Sequence, residues 1–445
     1  MGTQRMAGIP GFGIDRVAAA VGDDPSVLRL ENLDTDVLPP AQALRATRDA
    51  VELPEANSWL PFTGKADLRR AVADQLQDRS GVAYDPETQV VITCGEGDAM
   101  VDALCVTTDP GDEVILTDPT YAGMINRVRI VGAVPHLVPL RPEESEWRLD
   151  LDALAAAVNR RTRAILVANP GMPTGHHLND AEWQAIAAIC REQDVWLVYL
   201  GWMERILFDG RPYVHPAALP GMAARVIHLG SASMEQRMIG WRIGWLASPP
   251  ELADDVARAH IYNGLTAGGV AQAGVLAALQ VAPDDLAEAV AEWERRRDAV
   301  LGQLTGLPAV RPAGGWSLLM DVEALGLSAP ALSRALADHQ VAATPMTTWG
   351  EQVAPQYIRF VYSREPVERL SRFGNASGPQ SINSPEHLDP QSSDGGSSST
   401  RLRLGGCRPS CSMGSGCWSP AHPSMAKAHR SARSPMRRWS SVTTG

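Results

Sequence analysis

The chain has 445 residues, 44% of them hydrophobic and 20% charged, with a formal net charge of −11. That length accommodates two or three domains and a substantial core, while the acidic balance argues against nucleic acid, whose phosphates are met by clustered Lys and Arg. No run of about 18 apolar residues is present, so no membrane span is expected; the N-terminal segment lacks the basic-then-apolar pattern of a secretory signal, and the expected location is cytoplasmic.

Residues 25–85 read as the N-terminal part of a small domain. From about 88 to 250, seven short apolar runs follow in order: QVVIT, DEVILTD, VPHLV, RAILVAN, VWLVY, RVIHLG and WRIGWLA. Between them lie amphipathic stretches such as DAMVDALCV and DAEWQAIAAICREQ, with apolar residues at helical spacing. Runs too short for buried helices, alternating with helical patterns, predict a mostly parallel, seven-stranded sheet flanked by helices, an α/β domain over residues 86–265. In such sheets ligands bind beyond the carboxyl ends of the strands, so the residues just after each run are the ones to inspect.

One long helical segment is expected over about 251–305, then the strand-like GGWSLLMDV and YIRFVYS with a helix, SAPALSRALADHQ, between them. Residues 266–372 thus form an interdomain helix and the C-terminal part of a smaller α+β domain. After about residue 372 the chain turns Ser-, Pro- and Gly-rich and loses hydrophobic periodicity; residues 373–445 read as a low-complexity tail, disordered or frame-shifted, and carry no assigned function.

Cys94, Cys105 and Cys190 read as small buried residues in a reducing compartment. Cys407, Cys411 and Cys417 have no partners at useful distances for zinc, and no metal site is expected. Only two lysines occur, Lys65 and Lys427, against 38 arginines, so lysine chemistry has two candidates.

The segment NPGMPTG, Asn169 to Gly175, directly follows the run RAILVAN. Farther on, SASMEQRMIGWRIGW, Ser231 to Trp245, follows RVIHLG and sets two serines near a strand end with an arginine about ten residues later, a reasonable phosphate cradle. Together these segments resemble the class I/II aminotransferases, aspartate-aminotransferase-like enzymes of fold type I that use pyridoxal 5'-phosphate. That family's pattern is Asn-Pro-x-x-Pro-Thr-Gly, then Asp-x-x-Tyr after a strand, Ser-x-Ser-Lys, and Gly-Trp-Arg-x-Gly. The resemblance covers about residues 25 to 372.

The resemblance implies cofactor-binding roles for Gly95, Glu96 and Gly97, whose backbone N–H groups at a helix start would meet the phosphate. Ser231, Ser233 and Arg242 would complete that cradle. By the same resemblance Tyr121 stacks on the pyridine ring and Asn169 hydrogen-bonds its phenolic oxygen. Arg359 grips the substrate carboxylate as a bidentate fork. Trp59 stands where relatives often place a tyrosine that crosses the dimer.

Three positions depart from the pattern. The Schiff-base lysine corresponds to Met234, whose thioether has neither a nucleophilic amine nor a titratable proton. The aspartate that pairs with the pyridine nitrogen corresponds to Leu200, and the tyrosine three residues on corresponds to Met203. Lys65 is a weak substitute, better read as a solvated residue near a loop, and His215 and His228 read as structural. The expected function is therefore amino-group transfer between an amino acid and a 2-oxo acid, impaired or lost as written. The alternative is a non-catalytic protein that binds pyridoxal phosphate, weakly and non-covalently, or an amino acid, and pairs with an active homologue. The resemblance further implies a homodimer.

Overall fold

The computed structural model describes residues 2–372 except Phe12 and Pro283. The expectations placed on residues 373–445, including Lys427 and the last three cysteines, lie outside the described residues.

All seven apolar runs become strands of one sheet: Val90–Thr93, Glu113–Asp118, Val134–Glu143, Thr162–Ala168, Trp196–Leu200, Val226–Ser231 and Gly244–Ala247. An eighth, Glu146–Leu149, is added at one edge. It follows Val134–Glu143 through a two-residue turn, Glu144 and Ser145, both at positive φ (48° and 71°), the geometry that suits a tight antiparallel hairpin. The sheet order starts at Val90–Thr93 and runs through Gly244–Ala247, Val226–Ser231, Trp196–Leu200, Thr162–Ala168, Glu113–Asp118 and Val134–Glu143 to Glu146–Leu149. Only Gly244–Ala247 and Glu146–Leu149 oppose the others. The central strands are buried along nearly their whole length, which is why they read as continuous apolar runs rather than alternating ones.

The helices between strands carry their own stop and start signals. Asn179 and Glu182 form a reciprocal capping box at the start of Asp180–Glu192. Gly81 and Gly132 close Ala66–Ser80 and Ala122–Val131 in the left-handed conformation.

A second sheet of four antiparallel strands comprises Ala309–Val310, Ser317–Asp321, Tyr357–Val361 and Thr344–Pro345, with helix Ala329–Asp338 beside it. Leu28–Arg29 pairs in parallel with Val341–Ala342, tying the N-terminal segment to this C-terminal unit. The helices Ala41–Glu52 and Ala66–Ser80 go elsewhere: both pack on Gly269–Leu279. Leu68, Val72 and Leu76 share a core with Val90, Ile92, Trp245 and Val275. Gly274 permits the close approach, since a Cβ there would stand against the hydroxyl of Thr47. The long helix expected over 251–305 is three helices, Ala253–Asn263, Gly269–Leu279 and Asp284–Gln303. The first break falls where Gly264 caps the helix and Leu265 takes φ +64°. Of the three cysteines expected to be buried, Cys190 is, whereas Cys94 and Cys105 are exposed. Among the described residues no helix is long and apolar enough to cross a membrane.

Candidate ligand site at the strand ends

The parallel strands end side by side, with Ala168 in register with Leu200 and Leu200 with Leu229. The segments leaving those ends converge beyond the sheet, and they carry most of the residues singled out in the sequence.

At one side lies the anion cradle. Gly95 caps the helix Glu96–Thr107 at φ +85°, a conformation glycine adopts freely, and its carbonyl accepts from Thr93 Oγ1 at 2.9 Å. The Arg242 guanidinium lies where a Gly95 side chain would stand. Arg242 is itself left-handed (φ +52°) and donates to Ile239 O at 3.0 Å and Ser233 Oγ at 3.4 Å. Ser231 Oγ accepts from the Ser233 backbone N–H at 2.9 Å, and both serines are buried. Gly95, Ser231, Ser233 and Arg242 are thus brought together as the motif implied. Arg127, which the sequence reading passed over, joins them from Ala122–Val131, donating to Gly97 O at 2.9 Å and Gly123 O at 3.0 Å. Glu96 is buried in the same turn, and its Oε2 has no hydrogen-bond partner.

Next to the cradle the floor is apolar. Met234 is 6% exposed, Met203 1% and Leu200 fully buried, all within the main hydrophobic core. Among the described residues the one lysine, Lys65, is the N-cap of Ala66–Ser80, where its backbone N–H donates to Gln272 Oε1 at 2.9 Å.

An aromatic wall stands opposite. Tyr121 lies 5.6 Å, centroid to centroid, from Trp202 and 5.7 Å from Trp349. Burial pushes the Tyr121 phenol up, with Arg127 pulling it back. Trp349 is held in place through Asp118, whose carboxylate accepts backbone N–H groups from Glu351, Gln352, Val353 and Ala354 at 2.7–3.2 Å. Arg359 lies over the Trp349 ring at 4.6 Å and donates to the Glu31 carbonyl. It is fully buried, and its Nε and Nη1 have no partner. Desolvation drives its pKa down from 12.5 to about 9, with Glu31 opposing.

Two further expected contributors are Asn169 and Trp59. The Asn169 side chain bonds within its own loop: Oδ1 accepts from the Leu178 N–H at 2.8 Å and Nδ2 contacts His177 Nδ1 at 3.1 Å. Nδ2 is an NH2 group and keeps a second N–H beyond the contact to His177. Trp59 is 70% exposed and touches the Phe62 ring at 5.6 Å.

Behind the floor is a buried polar cluster that no local motif announced. Arg79, on Ala66–Ser80, bridges the carboxylates of Glu204 and Glu235, and Arg205 adds a second cation on Glu235 at 2.8 Å. His215 Nε2 lies 3.2 Å from His228 Nδ1 with the rings stacked. Glu204, His215 and His228 come within 4.8 Å of one another, a spacing compatible with a metal. However, His215 Nδ1 accepts the Ala217 N–H at 3.1 Å, so in the neutral ring Nε2 carries the proton and donates to His228. A metal-bound histidine donates from its other nitrogen instead, so the histidine pair reads as a structural contact rather than a ligand set. The cluster as a whole spans 156 residues, from Arg79 to Glu235, and only the fold assembles it.

The doubly flanked sheet, with a helix-capped cradle and a buried arginine beyond its strand ends, defines a fold type I α/β protein. The chain belongs to the aminotransferase class I and II family, whose model matches residues 27–372; members of that family use pyridoxal phosphate. It is 32% identical over 381 residues to the arginine–pyruvate transaminase of Pseudomonas aeruginosa, covering 83% of this chain and 95% of that relative. The solved N-succinyldiaminopimelate aminotransferase of Mycobacterium tuberculosis superposes with a TM-score of 0.78 at 31% identity, covering 84% of this chain and all of the other. The aspartate aminotransferase of Thermus thermophilus solved with maleate gives 0.77 at 26% identity, covering 84% and 98%.

Proposed function

We propose that this chain is an aminotransferase-family protein that does not transfer amino groups by itself, and that it holds a small carboxylic acid, an amino acid or 2-oxo acid, without turnover. The observation that carries this reading is Met234, buried at the end of the cradle strand where a reactive amine would be needed. A thioether can neither bond covalently to an aldehyde nor move a proton. Leu200 offers no charge to a pyridine nitrogen, and Met203 offers no hydroxyl. The residues present therefore do not fit pyridoxal phosphate as a reactive cofactor.

Carboxylate binding is supported by Arg359, whose two unpaired N–H-bearing nitrogens lie buried beside an aromatic face. A guanidinium desolvated in this way gains most from an anion that brings its own charge and a planar fork of oxygens. The solved relative with maleate, a dicarboxylate, is in keeping with such a ligand. A homodimer in the cytoplasm, or pairing with an active homologue, belongs to the same reading; the exposure of Trp59 and of Tyr262 (90%) favours a covered face.

The test is turnover. The purified chain is supplied with excess pyridoxal phosphate, a panel of amino acids and an isotopically labelled 2-oxo acid, and label is sought in the amino acid pool. No label above the protein-free rate is expected. Transfer that depends on the protein would overturn the reading.

A further inference from the structure

The proposed function rests on a missing amine; the geometry around Tyr121 points to a second, independent barrier. Tyr121 leaves the Glu113–Asp118 strand and Trp202 leaves Trp196–Leu200, and the two rings meet past the end of the Thr162–Ala168 strand that separates them. Their centroids are 5.6 Å apart at a tilt of 45°. A flat ring placed between two others needs them about 7 Å apart, twice the closest carbon–carbon approach of about 3.5 Å. The space between Tyr121 and Trp202 is therefore too narrow for a pyridine.

The other aromatic neighbour offers no more room. Trp349 stands 5.7 Å from Tyr121 and is pinned through the four N–H groups on Asp118. Gly350 completes the anchor, because any side chain there would collide with the Asp118 carboxylate. Trp202 is only 2% exposed, and its Nε1 has no partner, so the indole is packed in place without a polar contact that would reward the position.

We propose that Trp202 occupies the place of the cofactor ring, so that the site excludes pyridoxal phosphate even when an amine is restored, and keeps Arg359 for a carboxylate with no phosphate of its own. This rests on the non-catalytic reading above but can fail separately from it.

The experiment compares the natural chain with Met234→Lys, Trp202→Ala/Met234→Lys, and Trp202→Phe/Met234→Lys. Each is incubated with millimolar pyridoxal phosphate, reduced with borohydride, and read by intact mass for covalent cofactor. Circular dichroism checks that each is folded, and Trp202→Val replaces Trp202→Ala should the smaller residue unfold the chain. The natural chain and Met234→Lys should hold little or none. The opened variant should hold at least about tenfold more, equivalent to about 1.4 kcal/mol, and the phenylalanine variant should stay near Met234→Lys because a ring still fills the gap. Equal labelling of Met234→Lys and the opened variant would overturn the exclusion by Trp202 while leaving the need for an amine intact. No labelling of any variant would overturn it too, since opening the gap should then have sufficed. Covalent cofactor on the natural chain would instead overturn the non-catalytic reading.

Discussion

Replacing Arg359 by methionine should make the protein more stable and unable to bind a carboxylate. The guanidinium is fully buried, and burial takes its pKa from 12.5 to about 9, which corresponds to about 5 kcal/mol against the charged form. Opposing this are the Trp349 face, worth about 1–2 kcal/mol when desolvated, and the Glu31 carbonyl, worth about 1.5–3 kcal/mol. Methionine fills similar volume without the charge, so the net gain should be up to about 2.5 kcal/mol. With an unfolding entropy of about 2.1 cal/mol/K per residue over the roughly 370 described residues, that raises the thermal midpoint by up to about 3 °C.

The sign with pH follows from the same shift. Because the folded pKa is the lower one, the unfolded chain binds the extra proton between pH 9 and 12.5; the cost is fully present below pH 9 and falls away above it. The advantage of Arg359→Met should accordingly be flat below pH 9 and shrink as pH rises further. Differential scanning fluorimetry with and without millimolar pyruvate reads both effects. The natural chain should be stabilised by the acid, by about 2.7 kcal/mol at a hundredfold excess over Kd, and the variant should not respond. A midpoint that falls by several degrees, with the response to pyruvate preserved, would refute this account of Arg359.

Arg79→Met should cost about 3–5 kcal/mol, because it leaves Glu204 and Glu235 buried without their shared cation. Adding Glu204→Gln should cost clearly less than the sum of the single changes, and a strictly additive denaturation cycle would contradict the linked arrangement. His176 is fully buried, and burial lowers its pKa from 6.5 to about 3. Its folded pKa is the lower one, so stability should decline as pH falls from 6.5 toward 3, and His176→Asn should flatten that decline in midpoint-versus-pH measurements; identical slopes would show that His176 is not responsible.

Much of the fold could be read from the chain because its strands are buried on both faces and so appear as uninterrupted apolar runs, from QVVIT to WRIGWLA. The hairpin strand Glu146–Leu149 was missed because its alternating Glu-Trp-Arg-Leu is short and polar at every second position. The helical stretch over 251–305 was over-extended because Gly264 and Gly268 sit in an otherwise helix-favouring sequence, and a single glycine costs a helix only about 1 kcal/mol. In the site, Ser231, Ser233 and Arg242 were legible because a local loop brings them together.

Other features depend on contacts between distant segments. Trp202 against Tyr121 pairs residues 81 positions apart (202 − 121), and nothing in GWMER marks the indole as filling a ring-sized gap. Arg127 gave a faint signal as a basic residue on an otherwise mostly apolar helix near a Gly-rich turn.

The central claim, that no amine in this chain takes up the cofactor, is tested most directly by titrating the natural protein with pyridoxal phosphate and recording its absorbance before and after borohydride. The account predicts only the spectrum of the free aldehyde and no cofactor fixed to the polypeptide. A band that borohydride converts into a covalent adduct, mapped to Lys65 or any other amine, would contradict it.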